Sequence, residues 1–131
     1  MKKKLFCSFI LITMLICLST VASFAEETIN SGNYGNNLTW TFDNEGRLTI
    51  CGTGGIGSSD HPWDSFSDQI KEVVIEDGVI GIGPRSFLNM KSIEKVTIAD
   101  SVLSIGENAF WGCTGIKELT MPASAKVCDE N

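Results

Sequence analysis

The stretch Ile70-Lys-Glu-Val-Val-Ile-Glu-Asp-Gly-Val-Ile-Gly-Ile-Gly-Pro-Arg-Ser-Phe87 recurs 23 residues later as Ile93-Glu-Lys-Val-Thr-Ile-Ala-Asp-Ser-Val-Leu-Ser-Ile-Gly-Glu-Asn-Ala-Phe110. A third copy begins at Ile116-Lys-Glu-Leu-Thr-Met121. A fixed period of this length predicts a solenoid of stacked coils, because each repeat is one structural unit that packs only on its neighbours.

The two full copies are identical at eight positions, six of which are apolar. These positions are Ile70/Ile93, Val73/Val96, Ile75/Ile98, Asp77/Asp100, Val79/Val102, Ile82/Ile105, Gly83/Gly106 and Phe87/Phe110. The alternation Val73-x-Ile75 predicts a short strand with one buried face. The run from Val79 to Ile82 predicts a second extended segment, and Gly83-Pro84 predicts a break followed by a single helical turn. The side chain of Phe87 is expected to point into the interior of the coil.

The copy from Ile93 to Cys113 resembles the BspA-type leucine-rich repeat of bacterial surface proteins. The matching positions include Ser101-Val102, Ile105-Gly106, Ala109-Phe110 and Cys113. The copy from Ile70 to Met90 departs from the family pattern, with Ser86 in place of alanine and Met90 in place of cysteine, and only the third copy supplies the proline, Pro122. The resemblance implies a leucine-rich-repeat solenoid of 23-residue coils, mainly β with short helical turns.

A β-hairpin is predicted before the repeats. Leu38-Thr39-Trp40-Thr41-Phe42 and Arg47-Leu48-Thr49-Ile50-Cys51 both alternate, and the turn Asp43-Asn44-Glu45-Gly46 joins them. Its apolar face would cover the open end of the first coil. The hairpin is therefore expected to be the N-terminal cap that a solenoid needs.

The chain divides into three parts. Residues 1–25 have a charged start, an apolar run and small residues before a cleavage point after Ala25, which indicates a signal peptide and a secreted or surface protein. Residues 26–69 contain a loose polar leader, the hairpin cap and a connecting loop. Residues 70–131 contain the repeats, over 70–92, 93–115 and a partial copy over 116–131.

The charge balance argues against several partners. The net charge is −6, and removal of the three lysines of the signal peptide leaves 7 basic and 16 acidic residues, a net charge of about −9. An acidic chain without a Lys/Arg cluster favours neither nucleic acid nor an anionic membrane surface. We expect no membrane insertion after signal cleavage.

Four motifs contain residue types that can carry chemistry, but none of them predicts an enzyme, a cofactor or a metal site. Gly52-Thr-Gly54-Gly-Ile-Gly57 matches a dinucleotide-binding pattern, but no helix-length pattern follows it. His61 lies between Asp60 and Asp64 with serines nearby, yet neighbouring loop residues rarely converge as a hydrolytic site. Asp60, Asp64 and Asp68 lack the spacing of a calcium loop. Cys51, Cys113 and Cys128 are an odd number without a C-x-x-C, and whether any of them pair is left open.

The expected binding face consists of residues that alternate with the buried ones. They are Glu72, Val74, Glu76, Lys95, Thr97, Ala99, Glu118 and Thr120. The resemblance implies an extracellular adhesion module that contacts proteins or glycoproteins, host matrix proteins among them. The alternative is a structural spacer or capping fragment of a larger repeat assembly without a ligand of its own. Self-association through an open C-terminal coil is a further expectation.

Overall fold

The computed structural model of the protein describes residues 27–128. The strands are β1 (Thr28–Tyr34), β2 (Leu38–Asp43), β3 (Arg47–Gly52), β4 (Gly54–Gly55), β5 (Glu72–Ile75), β6 (Val79–Ile82), β7 (Lys95–Ile98), β8 (Ser104–Ile105), β9 (Glu118–Thr120) and β10 (Lys126–Val127). A 3₁₀ helix, Pro62–Phe66, lies between β4 and β5. The expected signal peptide lies outside the described residues. Between residues 27 and 128, no helix has the length and apolar character needed to span a membrane.

Two sheets form the walls of a solenoid across the described residues. The first is six-stranded, in the order β1-β2-β3-β5-β7-β9, and the second is four-stranded, in the order β10-β8-β6-β4. Each repeat gives one strand to each sheet, and the strands of successive repeats are parallel. Val73 pairs with Val96 and Ile75 with Ile98, which is the register that the 23-residue period predicts.

The third side of the solenoid consists of turns rather than helices in the two full repeats. The Phe87 N–H donates to the Ala109 carbonyl at 2.8 Å, and the Asn89 N–H donates to the Trp111 carbonyl at 2.7 Å. Arg85 and Asn89 both have a φ of 60°, which interrupts any continuous right-handed helix. The short helical element of this side is therefore the 3₁₀ helix of the coil that precedes Ile70.

The core has the inward residues that the repeat pattern predicts. The buried repeat residues are Ile70, Val73, Ile75, Val79, Ile82, Phe87, Ile93, Val96, Ile98, Val102 and Ile105. Each large aliphatic side chain contributes roughly 1.5–3 kcal/mol when it is fully buried. That contribution depends on the adjacent coil, since a single coil leaves these side chains open on both of its ends.

A column of aromatic rings runs along the solenoid axis. Trp63 stacks on Phe87 with ring centroids 5.9 Å apart, and Phe87 stacks on Phe110 at 5.0 Å. Trp63 is fully buried, and its indole N–H donates to the Ser86 carbonyl at 3.1 Å. Trp63 thus takes the place of the repeat phenylalanine in the preceding coil.

The hairpin cap is present, and its second strand is also the first strand of the solenoid sheet. β3 pairs antiparallel with β2, as in Trp40↔Ile50, and parallel with β5, as in Leu48↔Val73. Trp40 and Phe42 are buried, and both rings pack on Phe66, with centroids 6.0 and 5.1 Å away. The residues from β3 to the 3₁₀ helix therefore form a further coil, in a segment that the sequence predicts as a hairpin strand and a connecting loop.

The expectation of a loose leader before the hairpin is wrong for Thr28–Tyr34, which form β1. This strand pairs antiparallel with β2, for example Gly32↔Trp40 and Tyr34↔Leu38. The sequence signal was missing because β1 is an edge strand with mostly polar, exposed residues. Its pairing rests on backbone hydrogen bonds, which leave no apolar alternation to detect.

Candidate functional site

The expected binding face lies on the outward surface of the six-stranded sheet, which we name the outer face. Its residues are in register from one repeat to the next: Glu72 pairs with Lys95 and Val74 with Thr97. The following strand continues the register, because Lys95 pairs with Glu118 and Thr97 with Thr120. The structure thus brings the predicted residues together in rows that cross the strands.

The first row, named the charged row, consists of Arg47, Glu72, Lys95 and Glu118. The Arg47 Nε donates to Glu72 Oε2 at 2.8 Å, and Lys95 Nζ lies 3.5 Å from Glu72 Oε1. Burial alone would raise the pKa of Glu72, but the Arg47 hydrogen bond and the charges of Arg47 and Lys95 outweigh it, so the pKa lies below its ordinary value. The carboxylate of Glu72 is therefore in contact with two cationic side chains.

The second row, named the threonine row, consists of Ser31, Thr41, Thr49, Val74, Thr97 and Thr120. Adjacent strands in a sheet lie about 4.8 Å apart, so these small β-branched and hydroxyl side chains form a nearly regular array. The row crosses all six strands of the sheet as described. Its hairpin members were not in the expected set, since β3 was not recognised as part of the solenoid.

Glu76 and Ala99 lie just past the ends of β5 and β7, where the ladder continues. The Glu76 N–H donates to the Ile50 carbonyl at 2.9 Å, and the Ala99 N–H donates to the Ile75 carbonyl at 3.0 Å. Both side chains are partly exposed. They extend the outer face toward the corner that leads into the second sheet.

The glycine motif is part of the second sheet rather than a nucleotide-binding turn. Gly54–Gly55 form β4, which pairs parallel with β6. Strand geometry over these glycines does not present the opening turn of a helix to a phosphate, as the dinucleotide motif requires. The glycines of this motif are therefore explained by their place in the second sheet.

His61 has no hydroxyl nucleophile bonded to it among the residues that the structure describes. The ring is 7% exposed, its Nε2 lies 3.0 Å from the Gly57 carbonyl oxygen, and its Nδ1 lies 3.8 Å from Asp64 Oδ2. The carbonyl contact places the proton on Nε2 in the neutral ring. Within residues 27–128, no three His, Cys, Asp or Glu side chains are grouped so as to hold a metal ion.

Cys113 and Cys128 are free thiols in different surroundings. Cys113 is half-buried, its Sγ donates to the Phe87 carbonyl at 2.9 Å, and burial raises its pKa. Cys128 is exposed, because no described coil covers it. Cys51 is buried and its Sγ lies 3.1 Å from the Thr39 hydroxyl.

A parallel sheet of 23-residue coils with an in-register outer face defines a leucine-rich-repeat protein. Residues 64–131 match the family described as the BspA type leucine rich repeat region, so the chain belongs to this family. None of the curated proteins matches the chain.

Two solved structures show the same fold. A leucine-rich repeat protein from Eubacterium ventriosum ATCC 27560 is 29% identical with a TM-score of 0.69, over 75% of this chain and 27% of that one. A leucine rich cell surface protein from Faecalibacterium prausnitzii A2-165 is 20% identical with a TM-score of 0.50, over 77% of this chain and 33% of that one. The chain thus spans about a quarter to a third of the length of these proteins.

Proposed function

We propose that the chain is an extracellular or cell-surface module that binds a protein or glycoprotein through the outer face and catalyses no reaction. The observation that carries this proposal is the unbroken register of the threonine row and the charged row across the sheet. Solenoid proteins bind macromolecules on continuous surfaces of this kind, because successive repeats present equivalent positions side by side.

The composition of the outer face suits a selective and reversible contact. Short side chains in the threonine row lose little conformational entropy when they are covered. The charged row adds groups of both signs, which favours a partner with the complementary pattern. We expect a face of so few coils to bury no more than the roughly 800 Å² per partner of an ordinary stable interface, and hence to bind weakly unless neighbouring repeats add to it.

One of the two similar solved structures supports the surface setting of the proposal. The F. prausnitzii relative is described as a cell surface protein. The expected signal peptide agrees with this setting. The role that we propose for this chain is adhesion to host matrix proteins.

The proposed function is tested with the purified protein on an immobilised panel of matrix proteins, mucins and glycans. We expect saturable binding that the double variant Lys95→Ala/Thr97→Ala abolishes. The matched control is Ser104→Ala/Lys126→Ala, because these two exposed residues pair with each other in the second sheet. Equal loss in both variants, or binding that neither variant changes, would place the contact elsewhere.

The second candidate is a structural role within a repeat assembly. The observation that favours it is the apolar surface of the last described coil, where Leu119 is 53% and Val127 56% exposed. These residues hold inward positions that a following coil would cover. In this case the purified chain binds nothing on the panel but self-associates, and Leu119→Glu restores the monomer in sedimentation velocity.

A further inference from the structure

A polar recess lies outside the outer face, where the coil containing the 3₁₀ helix meets the corner of the next coil. Its volume is about 300 Å³, which is at the small end of the range for ligand pockets in proteins. The lining residues are Ser58, Ser59, Asp60, His61, Asp64, Ser67, Arg85, Leu88 and Met90. Neither sheet contributes to it, so it is independent of the proposed function.

The recess has charged groups of both signs. Asp60 and Asp64 come from the first coil and Arg85 comes from the second. Asp60 and Arg85 are exposed, and neither takes part in an ion pair among residues 27–128. Burial raises the pKa of Asp64, His61 lowers it, and the charge of Asp60 raises it further, so the two carboxylates repel each other. A cationic group between the carboxylates would relieve this repulsion.

Two residues of the recess have a left-handed backbone, and a buried ring lies beside them. Asp60 has a φ of 56° and Arg85 a φ of 60°, a region that costs non-glycine residues of order 1–3 kcal/mol. The buried His61 ring packs against Tyr34 and Trp63, with ring centroids 5.7 and 5.2 Å away. Asp60 and Asp64 therefore flank the buried His61 on one side of the recess, and Arg85 lies in the turn of the next coil.

We propose that this recess binds a small zwitterion of the amino-acid type, with Asp60 and Asp64 facing its ammonium group and Arg85 facing its carboxylate. A guanidinium is suited to a carboxylate because it donates two parallel hydrogen bonds. The hydroxyls of Ser58, Ser59 and Ser67 add further donors and acceptors. Leu88 and the buried Met90 offer apolar contact to an aliphatic side chain. The combination of both signs disfavours a ligand that carries only one charge.

The test is titration calorimetry of the purified protein with L-leucine, leucinamide and N-acetylleucine. Leucinamide keeps only the ammonium group and N-acetylleucine keeps only the carboxylate. We expect saturable binding of leucine, and at least about tenfold weaker binding of either single-charge analogue, as the loss of a charged hydrogen bond predicts. Equal binding of leucinamide and leucine would overturn the role of Arg85, and no saturable binding of leucine would overturn the site.

Two variants locate the ligand without disturbing the backbone. Asp60→Asn and Arg85→Asn both place asparagine at a positive φ, which asparagine tolerates. Asn108 already occupies the position equivalent to Arg85 in the next coil, with a φ of 55°. We expect each variant to weaken leucine binding at least about tenfold, with unchanged thermal unfolding. The control Asp100→Asn, which removes an exposed carboxylate outside the recess, should leave binding as it is. Binding that survives both recess variants would overturn the proposal.

Discussion

At the scale of residues, the molecule depends on a few side chains whose environment differs from one repeat to the next. Phe87 and Phe110 are equivalent in the sequence, but among the described residues only Phe87 has a ring on each side, since Trp63 and Phe110 both stack on it. The sequence predicted that both phenylalanines point inward. The sequence could not show which of the two is more deeply buried, because burial depends on whether the neighbouring coil covers the ring.

Phe87→Ala is expected to lower the free energy of unfolding by about 3–5 kcal/mol, as buried aromatic truncations do. Phe110→Ala should lower the free energy of unfolding clearly less, since Phe110 is the last ring of the column and is only partly buried. Urea unfolding followed by circular dichroism gives both values. Equal costs for the two variants would show that the column is covered at both of its ends in solution.

Glu72 predicts a dependence of stability on pH. Its pKa in the folded protein lies below the ordinary value of 4.5, so its contribution is present above that pH and is lost as the pH falls through the lowered value. Glu72→Gln should therefore destabilise the protein by less than about 1 kcal/mol at pH 7, because the pair is partly exposed. The difference from the wild type should disappear in acid.

Urea midpoints at pH 7 and in acid measure the Glu72 effect. Glu118→Gln is the control, because it removes a carboxylate of the same row that has no ion pair among the described residues. A destabilisation by Glu72→Gln that persists unchanged in acid would mean that packing, and not the charge, accounts for it.

At the scale of elements, β3 shows why the sequence predicted the start of the solenoid one coil too late. β3 was predicted as a hairpin strand, and it is one, but it is also a solenoid strand paired in parallel with β5. Arg47 pairs with Glu72, a spacing of 25 residues instead of the repeat's 23. This coil is two residues longer than a repeat and has a tryptophan in place of the repeat phenylalanine. A fixed 23-residue period therefore does not reveal it.

Two glycines of the same motif should respond differently to alanine. Gly52 has a φ of 122°, and a Cβ there would collide with the Asn37 carbonyl oxygen, so Gly52→Ala should cost at least about 2 kcal/mol. A Cβ on Gly55 would meet only the Gly81 carbonyl oxygen at 3.7 Å, an ordinary contact. Gly55→Ala should be neutral or stabilise by up to about 1 kcal/mol.

Chemical denaturation of the two alanine variants checks this contrast. A similar large cost for both would mean that Gly55 has a role beyond conformational freedom, whereas a negligible cost at Gly52 would contradict the backbone geometry at the end of β3.

At the scale of the whole molecule, the period predicted the architecture, and most of the outer face followed from it. Within the repeats, the strand order, the parallel register and the buried residues all follow from one rule, that equivalent residues stack on each other. The recess did not follow from the period, although Asp60, His61 and Asp64 were noted. Arg85 joins them only because the coil brings residues 25 positions apart to one corner, a distance that no local pattern reveals.

Amide hydrogen exchange should be graded along the solenoid. Central ladder amides such as that of Ala99 lie between covered coils, whereas the amide of Cys128 lies at the last described coil. Because coils are stabilised by their neighbours, we expect the β10 amides to exchange at least about 100-fold faster than those of β5 and β7. Uniform protection would show that the chain unfolds only as a single unit, or that a second copy covers its end.

The aligned register also bears on how such a surface can change over generations. Duplication of one 23-residue segment inserts a complete rung, with its own member of the threonine row and of the charged row, and it leaves the hairpin and every existing pairing intact. Evolution can therefore lengthen or shorten the contact surface by whole repeats without changing the side chains that it presents. Point substitutions at outward positions adjust the chemistry without altering the length.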